Sequence, residues 1–304
     1  MNSMEILHGW TQDDLSLQGF HWRSSSKNTC IVFIHGMSGN FIENYFTEIL
    51  GEELSKNDFG FIFGHNRGYG HINDIKTSEI QEDGGNKTKR ISAMYEKFEE
   101  STNDIDLWIN EAKKLGYEKI ILMGHSLGCN KVIHHQSINK DGGVTKIILA
   151  SPPDMVGLAK LKKYQPNYSD LLQEAKDNVN KDEPKKILSS MLWDWHYISS
   201  KTFLNQFQDN CVADNLPLLR NPEIFDELSK IDIPIFAFMG ENDDIPINTI
   251  GEDLNQIKEK ATACTEFETA ILTGANHNYE NKEKELSQLI INWLNKKSKS
   301  NIGS

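Results

Sequence analysis

No basic excess, no cysteine pairing pattern and no long apolar run is found in these 304 residues, and each absence removes a class of function. Lys and Arg number 32 against 44 Asp and Glu, a net charge of −12, whereas a surface that tracks phosphates needs the opposite balance. No nucleic-acid partner is therefore expected, and the acidity reads as serving solubility. The four cysteines, Cys30, Cys129, Cys211 and Cys264, form no C-x-x-C pair and are too sparse for a disulfide scaffold. They read as free thiols of a reducing compartment. No apolar stretch approaches the ~18 residues of a membrane span, and residues 1–14 lack the basic start and apolar run of a signal peptide. The expectation is a soluble cytoplasmic protein without membrane insertion. H-E-x-x-H, G-x-G-x-x-G and Walker-type glycine loops are also missing, so no metal and no nucleotide or other cofactor is expected. There is no internal repeat and no low-complexity segment.

What is present is an alternation. Short apolar runs rich in β-branched and aromatic residues, at 15–22, 30–35, 59–64, 119–124, 146–150, 233–240 and 266–273, are separated by segments of helical period. A weaker opening strand is expected at 4–10. Several runs are continuously apolar, as strands covered on both faces should be, which points to a mostly parallel α/β sheet. Ile105, Trp108, Ile109 and Ala112 share one helical face, and Leu286, Leu289, Ile290, Trp293 and Leu294 repeat the pattern near the end. The second stripe reads as a helix closing the core, with residues 296–304 beyond it frayed. From about 155 to 230 no convincing strand occurs. Helix-like pieces at 169–180 and 201–208, separated by Pro166, Pro184, Pro217 and Pro222, read as a helical insertion between two strands. Its aromatics, Tyr164, Tyr168, Trp193, Trp195, Tyr197, Phe203 and Phe207, either line a substrate cavity or form a small core of their own.

Gly124-His125-Ser126-Leu127-Gly128 follows the run Ile120-Ile121-Leu122-Met123 and precedes a potential helix. A serine on a tight strand-to-helix turn stands clear of the sheet, beside helix N–H groups that favour a developing anion. Its alcohol needs a base to take the proton, and the base needs an acid to hold its tautomer. Of ten histidines, only His277, in Gly274-Ala275-Asn276-His277-Asn278, lies just beyond the final strand. For the acid, Asp243 is chosen from Gly240-Glu241-Asn242-Asp243-Asp244, with Asp154, Asp244 and Glu241 as competitors. The expected oxyanion donors are the N–H of Leu127 and that of Met37, from His35-Gly36-Met37-Ser38-Gly39-Asn40, with Ser38 as alternative. Asp104 and Asp106 read as solvent-facing helix residues, Cys129 as a small helix residue against the sheet, and 84–90 as a solvated basic turn.

These motifs, with Asn66-Arg67-Gly68-Tyr69-Gly70, resemble the α/β-hydrolase superfamily in content and order over about residues 28 to 294. The resemblance implies an eight-stranded, mostly parallel α/β-hydrolase sheet flanked by helices, with residues 1–154 and 231–304 as core and 155–230 as a helical lid. The phrase from His35 to Phe46 further looks like a branch described as lipase- or esterase-like and linked by name to siderophore biosynthesis. Where the superfamily often has an acidic residue before Arg-Gly, this chain has His65-Asn66. Where glycine often precedes the catalytic histidine, it has Asn276. The implied activity is that of a serine hydrolase cleaving a carboxylic ester or thioester, with Ser126, Asp243 and His277 as triad. The partner expected is a small acyl substrate with an apolar part, contacted by Ser38, Trp193, Trp195 and Tyr197. Acyl transfer, cleavage of a C–C bond, and ligand binding without turnover are the alternatives. Oligomeric state is left open.

Overall fold

A computed structural model describes residues 4–140 and 142–296. The frayed end expected at 296–304 lies, after Lys296, outside the described residues. Ten strands and eight α-helices occur among them. The chain runs β1 (Met4–Trp10), β2 (Ser16–Trp22), β3 (Thr29–Ile34), α1 (Phe46–Lys56), β4 (Phe59–Gly64), β5 (Asp74–Ile80), β6 (Asn86–Arg90), α2 (Ser101–Lys114) and β7 (Lys119–His125). It continues through α3 (Leu127–Ile138), β8 (Val144–Ala150), α4 (Met155–Lys160), α5 (Tyr168–Asn180), α6 (Ser200–Phe207), β9 (Ile235–Gly240), α7 (Ile250–Lys260), β10 (Phe267–Leu272) and α8 (Glu283–Leu294). All eight strands expected from the apolar runs are present.

They form one eight-stranded sheet in the order β1-β2-β4-β3-β7-β8-β9-β10. β2 pairs antiparallel with β1 and with β4, and every later pairing is parallel. Because successive side chains of a strand point to opposite faces, each buried strand feeds two cores. Val32 and Ile34 of β3 join the cluster under α2, α3 and α7, with Trp108, Val132 and Ile257. Ile31 and Phe33 join the other, under α1 and α8, with Leu50, Leu286 and Trp293. The stripe on α8 therefore closes the core, as its period requires.

The strand order reverses at β3: the chain crosses outward to β4, then returns to the opposite neighbour β7. Such a reversal opens a crevice at the carboxyl ends of the two strands. The loop after β3 and the turn after β7 meet there.

Between β8 and β9 the chain carries the helices α4, α5 and α6 and no strand, with isolated antiparallel bridges between Ile187 and Ser199 and between Leu192 and His196. Tyr168, Leu171, Phe203 and Phe207 pack together in a third cluster that also takes Leu127 and Phe98 from the body of the fold. Leu216, Leu218, Phe225 and Leu228, later in the same segment, belong instead to the cluster under α2 and α3.

Two sequence expectations need correction. Residues 84–90 are solvated as expected, but only Gly84 and Gly85 belong to the turn, because 86–90 form β6, which pairs antiparallel with β5. Arg90 and Lys87 there meet Asp74 and Glu79, each at 2.8 Å, so two of the three positive charges of 84–90 are paired within the hairpin. Asp104 is not solvent-facing. It is fully buried and accepts hydrogen bonds from the Arg67 guanidinium, at 2.9 Å from Nη2, and from the Arg67 N–H at 2.7 Å. Asp13 and Glu100 complete the ring of carboxylates around Arg67.

Candidate active site

Ser126 sits between the last residue of β7 and the first of α3, with φ 54° and ψ −131°. A residue with a Cβ adopts that backbone only when its surroundings force it, at a cost of about 1–3 kcal/mol. Here the forcing is crowding. A Cβ on Gly124 would lie 2.4 Å from the Gly128 carbonyl oxygen, and one on Gly128 would lie 2.1 Å from that of Ile34. The two glycines let α3 rise directly off the sheet beside β3. Cys129 donates its thiol to the carbonyls of Gly124 and Ala150, and so faces the sheet as expected.

The start of a helix leaves its first N–H groups without partners inside the helix, and Leu127 supplies the first of α3. Met37 lies on the cavity wall beside Gly36, whose position is so close to the serine that a Cβ there would come within 2.8 Å of Ser126 Cβ. The loop is held by His35. Its buried ring donates from Nδ1 to the Gly36 carbonyl at 2.8 Å and accepts at Nε2 from the Asn66 N–H at 3.0 Å. Burial keeps this imidazole neutral, with its pKa well below the ordinary value. Asn66 also donates to the His35 carbonyl at 3.1 Å, and its Oδ1 accepts from Lys131, which pairs with Glu96. The departure from the superfamily at His65-Asn66 is thus built into a lock on the loop.

His277 follows β10 in a loop that crosses the end of β9. A Cβ on Gly240 would meet the Ala275 carbonyl oxygen at 2.3 Å, and the Asn242 N–H donates to that same oxygen at 2.8 Å. This coupling brings His277 Nδ1 to 3.1 Å from Asp243 Oδ1 and 3.3 Å from Oδ2. Burial pushes the Asp243 carboxyl up, but hydrogen bonds and charge from His277, with the Ser151 hydroxyl, outweigh it and leave the pKa below the usual value. Asp243 is therefore an anion aimed at the histidine.

Of the competing acids, Asp154 caps α4 instead, accepting from the N–H groups of Gly157 at 2.6 Å and Leu219 at 2.8 Å. Asp244 is exposed on the cavity wall, and Glu241 accepts from the Gly274 N–H at 2.8 Å. Ligating atoms of Asp243, Asp244 and His277 lie within 4.8 Å of one another, the one such set among the described residues. Two of its three members are already hydrogen-bonded to each other.

Ser126, His277 and Met37 share one cavity of about 590 Å³, within the range of small-molecule sites. Met155, Leu158, Trp193 and Trp195 from the segment between β8 and β9 form its apolar side. The insertion's aromatics therefore divide: Trp193, Trp195 and Tyr164 line the cavity, while Tyr168, Phe203 and Phe207 form the small core. Two expected contact residues are elsewhere. Ser38 is buried, bridging to Tyr69 and giving its carbonyl to the Gly70 N–H at 2.9 Å. Tyr197 is half exposed and away from the cavity wall.

Two groups escaped sequence reasoning. Ser151, fully buried after β8 at φ 54°, donates to Asp243 Oδ2 at 2.5 Å and exchanges a hydrogen bond with Tyr279 Oη at 2.7 Å. His125, the residue before the serine in its motif, is pushed down to about 3 by burial and so is neutral. Its Nε2–H donates to the His277 carbonyl at 2.9 Å, supporting the histidine from below. Nothing in composition or spacing marks Ser151, and the motif gives the place of His125 without its role; only the pairing of β8 with β9 and the path of the 274–279 loop bring them in.

Strand order, turn geometry and cavity place the fold among the α/β-hydrolases. A Pyrococcus furiosus esterase matches with TM-score 0.58 at 15% identity, covering 96% of this chain and 89% of that one. Est1E from Butyrivibrio proteoclasticus, with ferulic acid bound, matches with TM-score 0.62 at 14% identity, covering 95% and 97%. The α/β hydrolase GrgF from Penicillium sp. sh18 matches with TM-score 0.62 at 13% identity, covering 95% and 96%. No curated protein matches the sequence. Within this fold the chain belongs to the family described as "protein of unknown function (DUF1749)", whose model matches residues 89–297.

Proposed function

We propose that this protein is a serine hydrolase that cleaves a carboxylic ester or thioester through an acyl-enzyme. The observation that carries the reading is the His277–Asp243 contact at 3.1 Å opening onto the same cavity as Ser126, itself held at φ 54°. His277 takes the proton of Ser126 as Oγ attacks the carbonyl carbon, and Asp243 stabilises the imidazolium. The N–H groups of Leu127 and Met37 receive the oxyanion. His277 then gives its proton to the departing alcohol or thiol. Water, activated by the same histidine, releases the acid and restores the serine. An alcohol or amine reaching the acyl-enzyme before water would turn the sequence into acyl transfer.

Of the expected lid, residues 155–213 act in this reading as one, because Met155, Leu158, Trp193 and Trp195 wall the cavity and favour an apolar acyl group, whereas Leu216, Leu218, Phe225 and Leu228 pack in the main core. The ferulic acid held by Est1E and the esterases among the structural neighbours support that direction, as does the likeness of His35–Phe46 to a lipase- or esterase-like branch. Among the described residues no helix is long and apolar enough to cross a membrane. The four cysteines are free, which fits action in a reducing cytoplasm.

Mixing with p-nitrophenyl butyrate under stopped flow tests the reading. A burst of nitrophenol stoichiometric with enzyme, and a butyryl adduct mapped to Ser126 after acid quench, are expected. Turnover that persists in Ser126→Ala would overturn it.

A further inference from the structure

Apart from the serine turn and Tyr164, whose hydroxyl donates to the Asp244 carbonyl, the polar residues of the cavity come from the loops around His277 and the loop entering α1. Asp244 follows Asp243 directly, Asn278 follows His277, and Glu43 and Asn44 come from the loop entering α1. That loop packs on the histidine loop, with the rings of Phe46 and Tyr279 5.6 Å apart. The cavity wall thus carries two carboxylates, Glu43 and Asp244, and no lysine or arginine among the described residues. Lys163 stacks at 4.4 Å over the ring of Tyr164 and is not part of the wall. Asn44 is the buried member, 6% exposed; its Oδ1 is turned against Gly39, where a Cβ would come within 2.7 Å of it, so the amide Nδ2 is the end left to face the cavity. A carboxamide nitrogen offers two donors to a ligand.

Proton delivery decides which part of an ester meets this wall. The leaving oxygen must lie beside His277 to receive its proton, so the alcohol portion occupies the histidine side and the acyl portion the side of Trp193 and Trp195. Resting on the hydrolase reading above, we infer that the substrate joins an apolar acyl group to a neutral or cationic alcohol that hydrogen-bonds Asn44, and that Glu43 and Asp244 reject anionic leaving groups, coenzyme A included. In the reaction the Ser126 Oγ–acyl bond forms as the acyl–oxygen bond of the substrate breaks. The serine proton passes through His277 to the departing alcohol, and water later takes the acyl group.

Butyrate esters of four alcohols test this: choline, its neutral carbon isostere 3,3-dimethylbutanol, glycerol and isethionate. In roughly 10 mM salt, kcat/KM for the choline ester should exceed that for the isethionate ester at least about tenfold, and the ratio should shrink in about 1 M salt. In the double variant Glu43→Gln, Asp244→Asn the ratio should fall to within about threefold. Asn44→Leu should lose roughly tenfold on the glycerol ester and little on the dimethylbutyl ester. An isethionate ester hydrolysed as fast as the choline ester by the wild-type enzyme overturns the inference without any variant, as does a ratio indifferent to salt. Butyryl adduct at Ser126 with none of the four esters turned over overturns the substrate class and leaves the hydrolase reading standing. Absence of any adduct as well overturns both.

Discussion

Asp243 holds its charge in a buried position because three groups converge on it, and Ser151 is the one that can be removed with least disturbance. Its φ of 54° is a conformation glycine adopts freely, so Ser151→Gly deletes the hydroxyl without straining the chain. The lost hydrogen bond had lowered the Asp243 pKa, so the variant raises it and weakens the support of the His277 imidazolium. A hydrogen bond to a charged group contributes about 1.5 kcal/mol or more, so kcat should fall roughly tenfold with KM little changed. A rise in KM with kcat intact, measured on one ester, would mean that Ser151 shapes the cavity instead. Asp243→Asn should cost far more, about 10⁴ in kcat, because the amide favours the wrong tautomer of the histidine.

Buried imidazoles give a second residue-scale consequence. Burial holds His65 and His196 down to about 4 and His125 to about 3, and it keeps His35 well below the ordinary value. Unfolded histidine titrates near 6.5, so below that pH the unfolded chain binds protons that the fold refuses. The stability these groups contribute is fully present above about pH 6.5 and is lost as pH falls toward 4, at about 1.4 kcal/mol per group per unit. Asp154 acts in the opposite direction. Burial pushes it up to about 6, so the fold takes that proton first and gains as pH falls from 6 toward 3.8. His21 is held down as well, and burial also raises Asp104, Asp214 and Asp253; in the unfolded chain the five histidines titrate across this interval and the raised carboxyls offset only part of their loss, so the urea midpoint should drop between pH 7 and pH 5. A midpoint that rises over that interval contradicts the assignment of neutral rings.

At the scale of elements, legibility in the sequence followed burial. The strands of the large sheet are flanked by helices or by other strands, and their apolar runs announce them. The hairpin β5–β6 is not announced, because Ile75 and Thr77 are its only two buried residues and its other positions, the exposed Ile80 apart, are charged or polar. Asp104 misled for a related reason. It stands one turn before the buried Trp108 on the inward face of α2, where a carboxylate is unexpected unless a cation meets it, and its cation, Arg67, comes from a loop 37 residues away. Ser126, Asp243 and His277 were legible because each follows a recognisable strand. Ser151 and Asn44 were not, since their neighbours arrive from β9 and from the histidine loop. Asp104→Ala should leave the Arg67 guanidinium short of its inner partner and cost about 3–5 kcal/mol, read as a fall in the urea midpoint. In the segment between β8 and β9, Trp193→Ala removes an apolar wall and leaves the serine untouched. It should raise KM roughly tenfold for an octanoate or aryl ester and leave an acetate ester nearly unaffected.

Across the whole molecule, the reversal of strand order at β3 places the glycine loop and the serine turn side by side, and the β9 and β10 loops reach over from the far half of the sheet. The site is thus assembled from segments spread over residues 36 to 277, each fixed by packing elsewhere in the fold. The central claim is that these segments act as one unit on Ser126. The rate of covalent labelling by a fluorophosphonate, with the adduct mapped by mass, tests it most directly in the wild-type protein, His277→Gln and Asp243→Asn. The account predicts stoichiometric labelling at Ser126 in the wild type and rates at least about 10³ lower in both variants, each still folded. Labelling at another residue, or at Ser126 with rates indifferent to His277 and Asp243, would contradict it.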